Sequence, residues 1–129
     1  GHLADANIGE LSGGQAQMVS VCQALIRCSE VYLFDEPTSA LDLRHQLDVM
    51  DRIKATMRRR GTIGIVALHD LNLAARYADH LLLIGAGKIL AQGPPHKVLS
   101  GPLIAETYNV AIQTGTGPRE ELNVHAYVD

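Results

Sequence analysis

Apolar residues recur at three- and four-residue steps through Met18, Val21, Cys22 and Leu25, which predicts a helix with one packing face. Ser12, just ahead of Gly13-Gly14-Gln15, is a residue type that caps the orphan N–H groups of such a helix. Residues 3–10 read as the end of an earlier helix and a linker. Val31-Tyr32-Leu33-Phe34 is a short apolar run closed by two acids, the pattern of a buried parallel strand. Asp42 then opens a helix whose Leu43, Leu47, Met50, Ile53 and Met57 form a single stripe. Thr62 to Leu68, β-branched and apolar, predicts a second buried strand. A helix from about Asp70 to Tyr77 follows, with Leu71, Ala74, Ala75 and Ala78 on its packing side.

The pattern changes after Ala78. Leu81–Ile84 and Lys88–Gln92 flank Gly85-Ala86-Gly87, which predicts two strands joined by a tight turn. Pro94-Pro95 begins a short helix to about Leu99, a second helix covers residues 102–108, and Val110 to Gln113 forms a last strand. From Gly115 onward, Gly, Pro and charged residues predict a weakly ordered tail, so the expected division is a domain at 1–114 and a tail at 115–129. Alternating strands and helices predict an α/β layered fold, a mostly parallel sheet flanked by helices.

Composition narrows this picture only a little. The chain has 129 residues, 47% of them hydrophobic, enough for one modest domain. A net charge of −3 argues against a basic nucleic-acid surface. Arg58, Arg59 and Arg60 sit where cations complement the end of a helix, just before Gly61. Cys22 and Cys28 are separated by about 600° of helical rotation, which argues against a disulfide and fits a reducing compartment. The six histidines show no metal-ligand spacing. No apolar run reaches the roughly 18 residues that span a bilayer, and there is no secretory signal, so the chain reads as soluble and intracellular.

The chemistry concentrates at Asp35-Glu36-Pro37. Ligands of parallel α/β sheets bind beyond the carboxyl ends of the strands, where Asp35 and Glu36 would sit. One carboxylate there can hold Mg²⁺, while the next orients and deprotonates a water, the two roles that phosphoryl transfer to water asks for. Taken alone, the pair could equally be an acidic turn at a strand edge. Leu11-Ser12-Gly13-Gly14-Gln15, some 20 residues earlier, puts a hydroxyl and two glycines at a helix N-terminus, where free N–H groups favour an anion. His69 follows the second strand directly, and a neighbouring parallel strand would bring it close to Glu36. A lone histidine is more often structural; its position among the other motifs gives this one weight.

In this order the motifs resemble those of ATP-binding cassette (ABC) ATPases. Leu11-Ser12-Gly13-Gly14-Gln15 resembles the ABC signature, Val31 to Thr38 the Walker B strand with its glutamate, Ser39-Ala40-Leu41-Asp42 the D-loop, and His69 the switch histidine. The match runs to about residue 100 and implies a partial P-loop NTPase fold with ATP and Mg²⁺ as cofactors. It further implies that Asp35 serves Mg²⁺, Glu36 is the general base and His69 senses the γ-phosphate. Ser12, Gly13, Gly14 and Gln15 would meet the γ-phosphate held by a second ABC ATPase subunit in a head-to-tail dimer, and Asp42 would reach across the same interface. Membrane permease subunits are the other implied partners, at the cytoplasmic face of the cell membrane, with no nucleic acid. Family members commonly carry cations after the signature Gln and an Ala-Arg-Ala-Leu run; here stand Ala16, Gln17, Met18 and Cys22-Gln23-Ala24-Leu25. No G-x-x-x-x-G-K-[ST] loop occurs, and His2-Leu3-Ala4-Asp5 resembles the segment before the signature in longer members. The nucleotide-binding N-terminal part is therefore expected to be missing, and the isolated fragment to be inactive and oligomeric.

Val98-Leu99-Ser100, Ile104 to Val110, Leu43, His45 and His69 to Ala74 resemble the iron-chelate and cobalamin importer ATPases. The implied function is the ATP-hydrolysing subunit of such an importer. The competing classes are a non-transport ABC ATPase of translation or DNA repair, which predicts basic patches or coiled-coil insertions absent here, and a non-catalytic interaction fragment.

Overall fold

A computed structural model describes residues 12–128. The expected helix end and linker at 3–10, the His2–Asp5 segment and Leu11 lie outside the described residues. The chain divides into two compact units, Gly1–Leu68 and His69–Asp129.

The first unit is built on two parallel strands, β1 (Val31–Asp35) and β2 (Ile63–Ala67), in register from Val31↔Ile63 to Asp35↔Ala67. Helix α1 (Gly13–Ile26) precedes β1, and α2 (Leu43–Arg60) connects the strands. Ser12 caps α1 through a reciprocal capping box: its hydroxyl accepts from Gln15 N–H, and its own N–H donates to Gln15 Oε1. Gly61 ends α2 at φ +63°, a left-handed cap that a side chain would strain.

The arginines before Gly61 serve two helices. Arg60 reaches back to α1, donating to the carbonyls of Leu25 (2.6 Å) and Arg27 (3.4 Å) and to the Tyr32 hydroxyl (2.9 Å). Tyr32 in turn donates to the Arg27 carbonyl. Carbonyls at the end of α1 that no helical N–H can satisfy thus find partners on β1 and α2.

The strands are not buried on both faces as expected. Tyr32 and Phe34 face inward, 5% and 7% exposed, with rings stacked at 6.3 Å. On β2 the same face carries Gly64, against Met57 and Ile53 of α2. The opposite face, Val31, Leu33, Ile63 and Ile65, is open, with Leu33 76% exposed. The physical reason is that a parallel strand is buried twice only where helices lie on both sides, and among the described residues of this unit α2 covers one side only.

The second unit starts with α3 (Leu71–Tyr77) and an antiparallel hairpin, β3 (Leu81–Gly85) and β4 (Lys88–Gly93), turned by Ala86 and Gly87, both at positive φ. Two short helices, α4 (Pro95–Leu99) and α5 (Pro102–Tyr108), each begin on proline, whose missing N–H costs nothing there. The residues from Gly115 do not form the weakly ordered tail expected. They complete a second antiparallel hairpin, β5 (Ala111–Thr116) with β6 (Leu122–Tyr127). Val124 of β6 is buried in a core with Leu83, Val98, Leu99 and Ile104. The Asn72 amide clasps its backbone from both sides, donating to Val124 O at 3.1 Å and accepting from Val124 N–H at 2.8 Å. The Gly, Pro and charges that suggested disorder occupy the turn, where Gly117 and Glu121 share a backbone hydrogen bond of 2.8 Å.

Candidate active site

The site grows from the carboxyl end of β1. Asp35 closes the strand with an exposed carboxylate. Glu36 extends the ladder by one bond, its N–H donating to Ala67 O at 3.0 Å, and then turns into the left-handed region at φ +48°. For a residue with a Cβ this conformation costs on the order of 1–3 kcal/mol and persists only where its surroundings enforce it. It also ends the two-residue alternation of the strand, so neighbouring Asp35 and Glu36 need not serve opposite faces.

Three groups enforce the turn. The Glu36 carbonyl accepts from Ser39 N–H (3.3 Å) and from Gln17 Nε2 of α1 (2.9 Å). Gln17 Nε2 also donates to Ser39 Oγ at 3.1 Å, and its Oε1 accepts from Ala40 N–H at 2.9 Å. From the other side, Gln46 of α2 donates to Leu41 O at 3.0 Å. Pro37 and Thr38 between these anchors are buried.

The N-terminus of α1 approaches the same loop. A methyl group on Gly14 would stand 2.9 Å from Ala40 O and 3.3 Å from Leu41 Cδ2, so a Cβ there has no room. Ser12 Oγ already takes Gln15 N–H, and Ser12 O takes Ala16 N–H. The N–H groups of Gly13 and Gly14 have no acceptor among the described residues, which leaves them, with the Ser12 hydroxyl proton, as donors for an anion at a 14-residue helix.

Asp42 caps α2, accepting from His45 N–H at 2.9 Å, with His45 Nδ1 at 2.6 Å from the same oxygen. That backbone hydrogen bond, then the ring, hold its carboxyl below the ordinary value although the side chain is exposed. His69 is exposed and opens the second unit; Asp70 beside it caps α3, accepting from Asn72 N–H and Leu73 N–H at 2.9 and 3.1 Å. The structure thus brings Ser12 to Gln15, Glu36 and the 39–42 segment onto one unit, whereas His69 belongs to the other.

Sequence reasoning did not pick out Gln17 as a site residue. It registered Gln17 only as one of three residues standing where cations are common. A glutamine on a helix surface carries no pattern of its own, and only the fold shows that its amide meets a loop 19 to 23 residues away.

The family model for ABC transporters matches residues 1–39. Over 108 residues the chain is 43% identical to the achromobactin transport ATP-binding protein CbrD of Dickeya dadantii, covering 84% of this chain and 40% of that protein. It is 41% identical over 123 residues to the hemin import ATP-binding protein HmuV of Rhodopseudomonas palustris, covering 89% and 46%. The chain therefore spans less than half the length of these relatives. Among solved structures, an inward-facing metal-chelate type ABC transporter superposes with a TM-score of 0.82 at 23% identity, over 98% of this chain and 52% of that one. The ATP-binding cassette MJ0796, a dimer in a post-hydrolysis state with ADP and Pi, superposes at 0.63 with 30% identity, over 67% and 37%.

The chain carries part of an ABC transporter ATPase domain, a partial P-loop NTPase fold. The two relatives above are ATP-binding proteins of achromobactin transport and of hemin import.

Proposed function

We propose that this chain forms the hydrolytic and dimer-facing part of an importer ATPase that powers uptake of iron chelates such as siderophores or haem, or of cobalamin. The observation that carries the reading is the braced left-handed turn at Glu36, held to the helix whose first N–H groups have no acceptor among the described residues and suit a phosphate.

Glu36 accepts a proton from the water that attacks the γ-phosphate, and His69 serves as the γ-phosphate sensor. Asp35 is a hard oxygen donor of the kind Mg²⁺ takes one or two of while phosphates and waters fill its remaining positions. The exposed single carboxylate at the end of β1 fits that demand, and the ion would neutralise charge on the phosphates. Ser12, Gly13, Gly14 and Gln15 face the γ-phosphate of a nucleotide held by a second subunit, through the donors that the capping box leaves over. Asp42 lies at the same head-to-tail interface. The assembly works at the cytoplasmic face of the membrane with permease subunits. No helix among the described residues is long and apolar enough to cross a membrane itself.

The 129-residue chain contains no G-x-x-x-x-G-K-[ST] loop, so by itself it is expected to hydrolyse no ATP. In an ATPase completed with the segments that its relatives carry beyond this chain, Glu36→Gln should cut turnover by about 10²- to 10⁴-fold while ATP binding persists, because an amide cannot accept the proton. Phosphate release and nucleotide binding, measured side by side, check this. Near-normal turnover in Glu36→Gln would mean that the general base lies elsewhere.

A further inference from the structure

We propose that Gln17 is a positioning residue that couples the two nucleotide sites of the assembled dimer. It ties the phosphate-facing end of α1 to the loop carrying Glu36 and the D-loop. This inference rests on the dimeric reading above.

The geometry is specific. A glutamine amide offers two N–H donors and one carbonyl oxygen. Both kinds of group are used: Nε2 donates to Glu36 O and Ser39 Oγ, and Oε1 accepts from Ala40 N–H, at 2.9, 3.1 and 2.9 Å. The orientation of the amide is dictated by its partners, since Glu36 O can only accept and Ala40 N–H can only donate. The three bonds grip the loop on both sides of Pro37 and Thr38. One side is the peptide that follows Glu36, whose carbonyl fixes how the strained residue is set. The other is the Ser39–Ala40 peptide, just ahead of Leu41 and Asp42.

Gln17 also stands two residues after Gln15, about 200° around the helix. The two glutamines therefore divide the work of one helix end. Gln15 is used in the cap, where Ser12 and the glycines present their donors, while Gln17 holds the loop behind it. Gly14 approaches Ala40 O too closely to admit a side chain, so helix and loop meet through backbone as well as through the amide. A displacement of α1 on engaging the partner's nucleotide is passed to the peptide after Glu36, which serves the chain's own nucleotide. In a two-fold dimer the same link runs in both directions.

The test uses the complete ATPase, assembled as a dimer, with Gln17→Met, which keeps length and removes all three bonds. A second variant, Gln17→Glu, keeps an acceptor for Ala40 N–H and sets an oxygen against the Glu36 carbonyl. Both should lower kcat by about 10- to 100-fold, the scale of a misplaced catalytic group. KM for ATP should stay within about twofold, and the Hill coefficient should fall toward about one. Gln23→Met, on the exposed side of α1, is the control and should leave all three unchanged.

Wild-type kcat and Hill coefficient in Gln17→Met would overturn the coupling role. So would a loss of turnover with cooperativity intact, the mark of a merely structural residue. Should Gln17→Met not fold, Gln17→Glu decides by the same readings, alongside amide hydrogen exchange at Ala40 in the wild-type protein. Unprotected exchange there overturns the bond itself. The parent reading fails separately: active Glu36→Gln removes the catalytic assignment, whereas inactive Glu36→Gln beside a wild-type Gln17→Met removes only the coupling.

Discussion

A methyl group built on Gly14 meets the Ala40 carbonyl oxygen at 2.9 Å, whereas one on Gly13 finds nothing nearer than Ala40 Cβ at 3.9 Å. The two glycines therefore have different reasons to be small. Gly14→Ala must push α1 off the loop or bend the loop away, an overpacking cost of about 1–3 kcal/mol. Gly13→Ala should stay within about 0.5 kcal/mol of the parent, as for a substitution with open space around it. Urea unfolding of the two variants checks the contrast, and equal stabilities would show that the close approach at Ala40 is not maintained. Asp42 gives a second expectation at this scale, one of pH. Its carboxyl is held below the ordinary value, first by the His45 N–H and then by the imidazole. A group lowered in the folded state stabilises fully above its unfolded pKa, and that contribution disappears as pH falls through the folded value. The cap of α2 should therefore weaken only at the acid end. Thermal melts from about pH 5 to about pH 2 should show a steeper loss of stability for the parent than for Asp42→Asn. The amide keeps an acceptor for His45 N–H but carries no charge, and parallel slopes would refute the assignment.

At the scale of elements, what could be read in the sequence follows from whether the signal was local. Helix α2 shows a three-four apolar stripe, an Asp before it and a Gly after it, and it runs from Leu43 to Arg60 between those two caps as the signals require. The hairpin of β3 and β4 was legible from two apolar runs around Gly85-Ala86-Gly87. The hairpin of β5 and β6 was half missed, because its order comes from partners distant in sequence. Residues 122–126 alternate Leu, Val and Ala, but the Gly, Pro and charges before them outweighed that short run. What secures β6 is Asn72, 52 residues away, whose amide replaces a neighbouring strand for Val124. The candidate site divides in the same way. Ser12 to Gln15, Asp35, Glu36, Asp42 and His69 stand in readable motifs, while Gln17 acts through a contact with no local trace. The clasp by Asn72 is open to direct test. Asn72→Ala leaves a part-buried N–H and carbonyl of Val124 without partners, which should cost about 1–3 kcal/mol. Hydrogen exchange at Val124 should accelerate in the same variant, and unchanged protection would place the anchor of β6 elsewhere.

At the scale of the molecule, the open face of the β1–β2 sheet is the feature with the largest consequence. Val31, Leu33, Ile63 and Ile65 lie side by side in register, each between 48% and 76% exposed. Completely burying one such side chain is worth about 1.5–3 kcal/mol, so four of them together are a strong drive to associate. Both strands also have only one partner among the described residues, and an unpaired strand edge is itself a template for pairing. The 129-residue chain is therefore expected to self-associate in concentrated solution through this face. The head-to-tail arrangement proposed for the complete ATPase is not expected of it, because the chain lacks the loop that would hold the bridging nucleotide. Leu33→Lys with Ile65→Lys places two like charges in adjacent, register-paired positions at the centre of the face. It leaves Tyr32, Phe34 and Gly64, on the face toward α2, untouched. Light scattering across a concentration series should show the parent growing in mass and the double variant remaining a monomer. Adding Mg-ATP should change neither result. A parent chain that stays monomeric, with little binding of a hydrophobic dye, would mean that some other part of the chain covers these four residues in solution. Association that survives both lysines would place the contact on another surface of the chain.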